Sequence, residues 1–144
     1  MIHVQIDCPA SIEMVEYLDQ ICEWTISRYN KLESRKVVLA VHEAIINSVE
    51  AMKRRYGEQN TESNISLKIR LQMEEIEVKI IDSAGGLSAE AKERLQNQDF
   101  DDLIWEEDGR GLLFIKHLVD EVWQDQDEDG RFVMGLRKRV KQNA

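Results

Sequence analysis

The sequence predicts a two-layer α/β sandwich, with a mixed, mostly antiparallel sheet covered by helices on one face. Three observations carry that expectation. The strand-like segments alternate apolar and polar residues with period two, so each has one face suited to a core and one suited to water. The segments around them place apolar residues three and four apart, which is helical spacing. The 144 residues are 42% hydrophobic and 33% charged with one proline, which suits one domain, 1–144, with no linker or internal repeat.

Each element has its own signal. Ile2, Val4 and Ile6 alternate with His3, Gln5 and Asp7, giving a first half-buried strand. Beyond Pro9, Ser11 suits the N-cap of a helix with Ile12, Val15, Leu18, Ile21 or Cys22, and Thr25 or Ile26 inward. A long helix follows over about 33–55, with a core stripe of Val38, Val41, Ile45, Val49 and Met52, and stops before Gly57. After a polar connector come two period-two strands. Ile65, Leu67, Ile69, Leu71 and Met73 face inward in the first, and Ile76, Val78, Ile80 and Asp82 in the second. Little more than Glu74 separates them, so they pair as an antiparallel hairpin. A short helix near 88–95, an acidic stretch over 97–108, a helix opening at Gly109 and a final hairpin turning at Asp129-Gly130 complete the chain.

Composition removes several classes of function. No apolar run approaches the ~20 residues that span a bilayer, and the first residues lack the basic start and apolar segment of a signal peptide. Cys8 and Cys22 form no disulfide framework and read as reduced thiols of a cytoplasmic protein. No cysteine–histidine cluster has zinc-ligand spacing. A net charge of −9 argues against nucleic acid, whose phosphates need a clustered basic surface. The one basic run, 137–141, reads as the solvated decoration of an edge strand.

Three places hold polar groups that the apolar pattern does not explain. Glu43, Asn47 and Glu50 stack in one line on the long helix, flanked by Leu39, Ala40, Ala44 and Ile46. Unpartnered burial of such groups costs several kcal/mol, so the line faces either solvent or a pocket holding a ligand. Asp82 has inward parity at the end of an apolar strand, just before Ser83-Ala84-Gly85-Gly86. It suits a carboxylate that orients one ligand donor where glycines let the backbone come close, and equally a turn-initiating Asp. Gly109-Arg110-Gly111 opens a helix, where bare amides and the positive dipole end favour an anion, unless Asp108 is simply an N-cap. Taken together, the three outline one site for a phosphorylated purine.

In this order and spacing, HEAIINSVEA, DSAGG and GRGLLFIKHLVDEV resemble the three ATP-binding boxes of the GHKL superfamily of histidine kinase-like ATPases. The likeness spans nearly the whole chain and is strongest to the RsbW-type bacterial anti-sigma serine/threonine kinases. That resemblance implies a Bergerat-type fold and a set of roles. Glu43 would be the catalytic base toward a partner's serine or threonine hydroxyl. Asn47 would offer its amide oxygen to Mg²⁺, which needs few protein ligands. Asp82 would read the adenine amine of ATP, Gly86 would let the base or sugar approach, and Gly109, Arg110 and Gly111 would wrap the phosphates. Residues 97–108 would be the lid.

Two departures stand out. Ala84 replaces the first glycine of the usual Asp-x-Gly-x-Gly, and the lid segment carries Asp99, Asp101, Asp102, Glu106, Glu107 and Asp108 with no Lys or Arg. Arg110 is then the nearest cation for a γ-phosphate.

The partners implied are a STAS-domain anti-anti-sigma protein as substrate and a sigma factor or other regulator as the captured target, without nucleic acid or membrane. Homodimers are common in that branch, although no pattern here specifies one. The alternative is an ATP-binding partner-capture module without phosphotransfer. His42 and His117 read as structural, and Trp105 as a partner contact within the lid.

Overall fold

The computed structural model describes residues 1–29, 31–57, 64–84 and 107–140, side chains excepted at 31, 32 and 107–110. The helix expected near 88–95, Gly86, Trp105 and the lid segment up to residue 106 lie outside the described residues. Within them the order is β1 (Ile2–Pro9), α1 (Ile12–Tyr29), α2 (Lys31–Tyr56), β2 (Asn64–Gln72), β3 (Glu75–Asp82), α3 (Glu107–Leu118), β4 (Glu121–Gln126) and β5 (Phe132–Arg139). The five strands form one sheet in the order β1-β2-β3-β5-β4, and every described pairing is antiparallel. The parallel component of a mixed sheet is thus absent among the described residues.

Period-two patterning sorts the sheet's two faces. Ile65, Leu67, Ile69, Leu71, Val78, Ile80, Met134 and Leu136 meet Val15, Leu18, Cys22 and Ile26 of α1, Val41, Ile45 and Val49 of α2, and Leu112 and Ile115 of α3 in one core. Each such side chain contributes about 1.5–3 kcal/mol on leaving water. Burial pushes the Cys22 thiol up to about 12, aided by nearby Asp19, so it is an inert core group.

The opposite face carries charge. Arg70 bonds Glu77, Arg137 reaches Glu75, Glu77 and Glu121, and Arg139 also reaches Glu121. The Arg137 guanidinium stacks 4.8 Å above the Trp123 ring, and Trp123 lies across Gly135, its direct cross-strand partner.

Several local expectations shift. Ile12 at the first turn of α1 is 64% exposed, and Met73, in the two-residue turn between β2 and β3, is 73% exposed. On α2 the stripe begins at Val37 rather than Val38, and it includes the buried Ala40 and Ala44. β5 lies inside the sheet, so its basic run does not decorate an edge: Arg137 joins the ion network, and Lys138 lies 3.8 Å from Glu33 and 3.7 Å from Asp120. The final turn falls where expected, with Gly130 at φ 78°, a backbone state that glycine adopts without penalty. No described helix is long and apolar enough to cross a membrane.

Candidate functional site

The site is mounted on α2. Its polar line divides in two: Glu43 and Asn47 are half-buried, while Glu50, one turn on, is exposed. What meets the first two is Gly111 of α3. A Cβ at Gly111 would lie 3.0 Å from Asn47 Nδ2, 3.4 Å from Asn47 Oδ1 and 3.5 Å from Glu43 Oε2. The missing side chain therefore lets the α3 backbone settle directly against an amide and a carboxylate. Among the described residues neither Glu43 nor Asn47 makes a side-chain hydrogen bond, which leaves both free for a ligand.

A second line runs down α2 at steps of four: Ser48, Met52 and Tyr56. It meets the exit of β3. Asp82 is only 1% exposed, and its Oδ2 accepts a hydrogen bond from Ser48 Oγ while Oδ1 accepts from the Ala84 amide at 2.8 Å. Burial pushes the Asp82 carboxyl above its ordinary range, and the two hydrogen bonds pull it part of the way back. An ionised carboxylate has about four lone-pair positions, so two remain for a further donor. The Tyr56 hydroxyl donates to the Ser83 carbonyl at 2.8 Å, Ser83 Oγ lies 3.6 Å from Met52 Sδ, and Arg55 Nη1 stands 3.5 Å from the Ala84 carbonyl.

Glu43, Asn47 and Gly111 thus form one cluster, and Asp82 is tied to it through Ser48, the residue after Asn47. α3 begins at Glu107, two residues earlier than expected, so Gly109, Arg110 and Gly111 lie within its opening turns rather than ahead of them. Gly109 lies in the first turn, where unpaired amides gather, and Gly111 follows one turn into the helix. His42, next to Glu43, turns to the other neighbour: its Nδ1 pairs with Asp19 Oδ2 of α1 at 2.6 Å, which ties the two helices together. Sequence reasoning missed Ser48 and Tyr56. Their signal was the spacing 48, 52, 56 along a helix already marked by polar intrusions.

The donor set fits a metal held mainly by its ligand's own oxygens. Among the described residues no cluster of three His, Cys, Asp or Glu is placed to hold an ion. The free Asn47 carboxamide beside the α3 start is a single neutral oxygen ligand of the kind a phosphate-bound Mg²⁺ accepts. A surface concavity of about 470 Å³, lined by Lys68, Lys79, Ile81, Arg131 and Val133 among others, opens elsewhere, and none of the site residues lines it.

These features suit a nucleotide site, and the comparisons with known proteins supply the family. Residues 12–134 match the histidine kinase-like ATPase domain family, and the chain belongs to it. That membership assigns ATP use and nucleotide binding as a class. No curated protein matches the sequence. Among solved structures, a chain of the SiaB–SiaC complex from Pseudomonas aeruginosa is similar over 95% of this chain and 89% of that one, at 18% identity and a TM-score of 0.65. That likeness is one of fold.

Proposed function

We propose that this chain is an ATP-dependent serine/threonine protein kinase that works as an anti-sigma-type partner switch. The observation that carries the reading is Gly111 seated on Asn47 and Glu43, with Asp82 held by the adjoining Ser48. One helix thereby joins the groups for a base, a metal, phosphates and a purine. Glu43 accepts the proton from the partner's serine hydroxyl, for which its unpaired carboxylate beside the α3 start is suited. Asn47 would hold Mg²⁺ through its amide oxygen, and bound Mg²⁺ supplies charge neutralisation at the phosphates. Asp82 accepts a hydrogen bond from the adenine amine, Gly86 gives the base or sugar room, and Gly109, Arg110 and Gly111 hold the phosphates, Arg110 as the nearby cation.

By the family resemblance, the substrate is a STAS-domain anti-anti-sigma protein, and the alternative target is a sigma factor or another regulator. The SiaB–SiaC complex, formed around a chain of the same fold, supports partner capture. The switch follows from charge. A phosphoserine adds about −1.5 to −2, and docking it against a chain of net charge −9 is unfavourable, so the phosphorylated partner leaves. One domain over 1–144, acting in the cytoplasm, suffices for this role.

The test is transfer of label from γ-labelled ATP to a co-purifying STAS protein. Wild type labels the partner, and Glu43→Gln abolishes the label while holding ATP affinity within about threefold, since glutamine keeps the shape and removes the base. Tight partner binding by wild type with no label would make the chain an ATP-set capture module instead.

A further inference from the structure

Tyr56 closes α2, just ahead of Gly57 in left-handed backbone, and its ring lies under the Arg55 guanidinium. Its hydroxyl donates to the Ser83 carbonyl at 2.8 Å. That carbonyl belongs to the same planar peptide unit as the Ala84 amide, and the Ala84 amide donates to Asp82 Oδ1 at 2.8 Å. Fixing the carbonyl end of a planar unit fixes the direction of its N–H. Ser48, two turns earlier on the same line of α2, holds the other carboxylate oxygen. The carboxylate is therefore clasped from both ends of one helix line, directly by Ser48 and through a peptide plane by Tyr56. Arg55, at 3.5 Å from the Ala84 carbonyl, is at the limit of hydrogen-bond range and adds little.

We infer that Tyr56 is a positioning residue for base recognition: its hydroxyl orients the Ser83–Ala84 peptide and so aims the Asp82 carboxylate at the amino group of the purine. The inference rests on the reading of Asp82 as the base acceptor given above. It adds that base selectivity depends on a hydroxyl that itself never touches the nucleotide. A tyrosine that merely anchored the end of α2 would affect all nucleotides alike, because the phosphates would feel the same loosening. A tyrosine acting through Asp82 affects only a base that bears the amine.

The test compares ATP with purine riboside 5′-triphosphate, which lacks the exocyclic amine, by calorimetry in excess Mg²⁺. Tyr56→Phe keeps the ring and loses only the hydroxyl. Its ATP affinity should fall about three- to tenfold, the factor one neutral hydrogen bond represents, while its affinity for the amine-free analogue stays within about 1.5-fold. In an Asp82→Asn background the same change should leave ATP affinity within about 1.5-fold, because the two residues act in series. Equal loss on both nucleotides, no loss on either, or a full effect in the Asp82→Asn background overturns the inference alone. A wild type that binds no ATP, or that does not prefer the amine-bearing base, overturns the Asp82 reading and the inference with it.

Discussion

Gly111→Ala separates stability from binding, because the two respond to the same methyl group with opposite sign. Gly111 lies inside α3, and its φ is outside the left-handed range, so the backbone accepts alanine. In a helix interior alanine is favoured over glycine by about 0.8–1.0 kcal/mol. Against this stands a Cβ placed 3.0 Å from Asn47 Nδ2, a contact relieved by a few tenths of an ångström of movement. Asn47 is half-buried and free of side-chain hydrogen bonds among the described residues, so its amide swings aside at little expense. The melting temperature without nucleotide should stay level or rise by up to about 3 °C. Affinity for Mg-ATP should nevertheless fall at least about tenfold, since the amide leaves its position and the α3 backbone lifts from Glu43. Fluorimetric melting and calorimetry measure the two arms on one preparation. Undiminished ATP affinity would refute the reasoning, as would a melting temperature lowered by more than about 5 °C, which would make the contact a packing requirement and not a ligand cradle.

Two further outcomes follow from the geometry. Asp82 titrates above the ordinary carboxylate range in the folded chain, so its charged form weakens the fold. That penalty is absent at pH below the unfolded value and complete above the native one. Asparagine keeps both hydrogen bonds, because the Ser48 hydroxyl can turn to accept. The melting temperature of Asp82→Asn relative to wild type should therefore climb as pH rises from about 3 to 7, and a difference independent of pH would show that no raised carboxyl is present. Gly135→Ala would put a Cβ 2.1 Å from Trp123 Cε2 and expel the indole from beneath Arg137. Urea denaturation should register a loss of about 1–3 kcal/mol, part of which Gly135→Ala/Trp123→Ala restores.

What the sequence disclosed, and what it withheld, divides by the range of the forces involved. Strand parity, the 72–75 hairpin and the Asp129-Gly130 turn are local, and they read correctly because patterning and turn chemistry act over a few residues. Asp82 was legible for the same reason, since parity alone put a carboxylate on the core face. Ile12 and Met73 were misjudged because an apolar residue at the end of an element has no neighbour above it to complete its burial. The position of β5 was not legible at all. Insertion between β3 and β4 depends on non-local pairing, and only the resulting ion network of Arg137 explains why a basic run tolerates an interior strand. The role of Ser48 was hidden differently: a serine in a greasy helix reads as neutral until the residue opposite it is known.

The division of α2 into two lines also bears on how the site works. Asn47 and Ser48 are consecutive, so they point about 100° apart, one toward α3 and the other toward the end of β3. The separation between Asn47, which lies against Gly111, and Ser48, which holds Asp82, is therefore set by the helix itself, whose stripe from Val37 to Met52 is buried in the core. Such a helix cannot alter that separation without unpacking the domain, so recognition on this side is preorganised. α3 stands in a different relation. At the site it meets α2 through Gly111, and its described apolar contacts lie farther along at Leu112 and Ile115. In the proposed reading, a nucleotide that bridges Asn47 and the α3 amides adds contacts between the two helices at that point. Nucleotide binding should then tighten the start of α3 and leave α2 unchanged. Hydrogen exchange follows this directly, with protection rising at residues 109–113 on addition of Mg-ATP and staying constant at 40–49. Equal gains in both segments would mean that α2 is not the fixed half of the site.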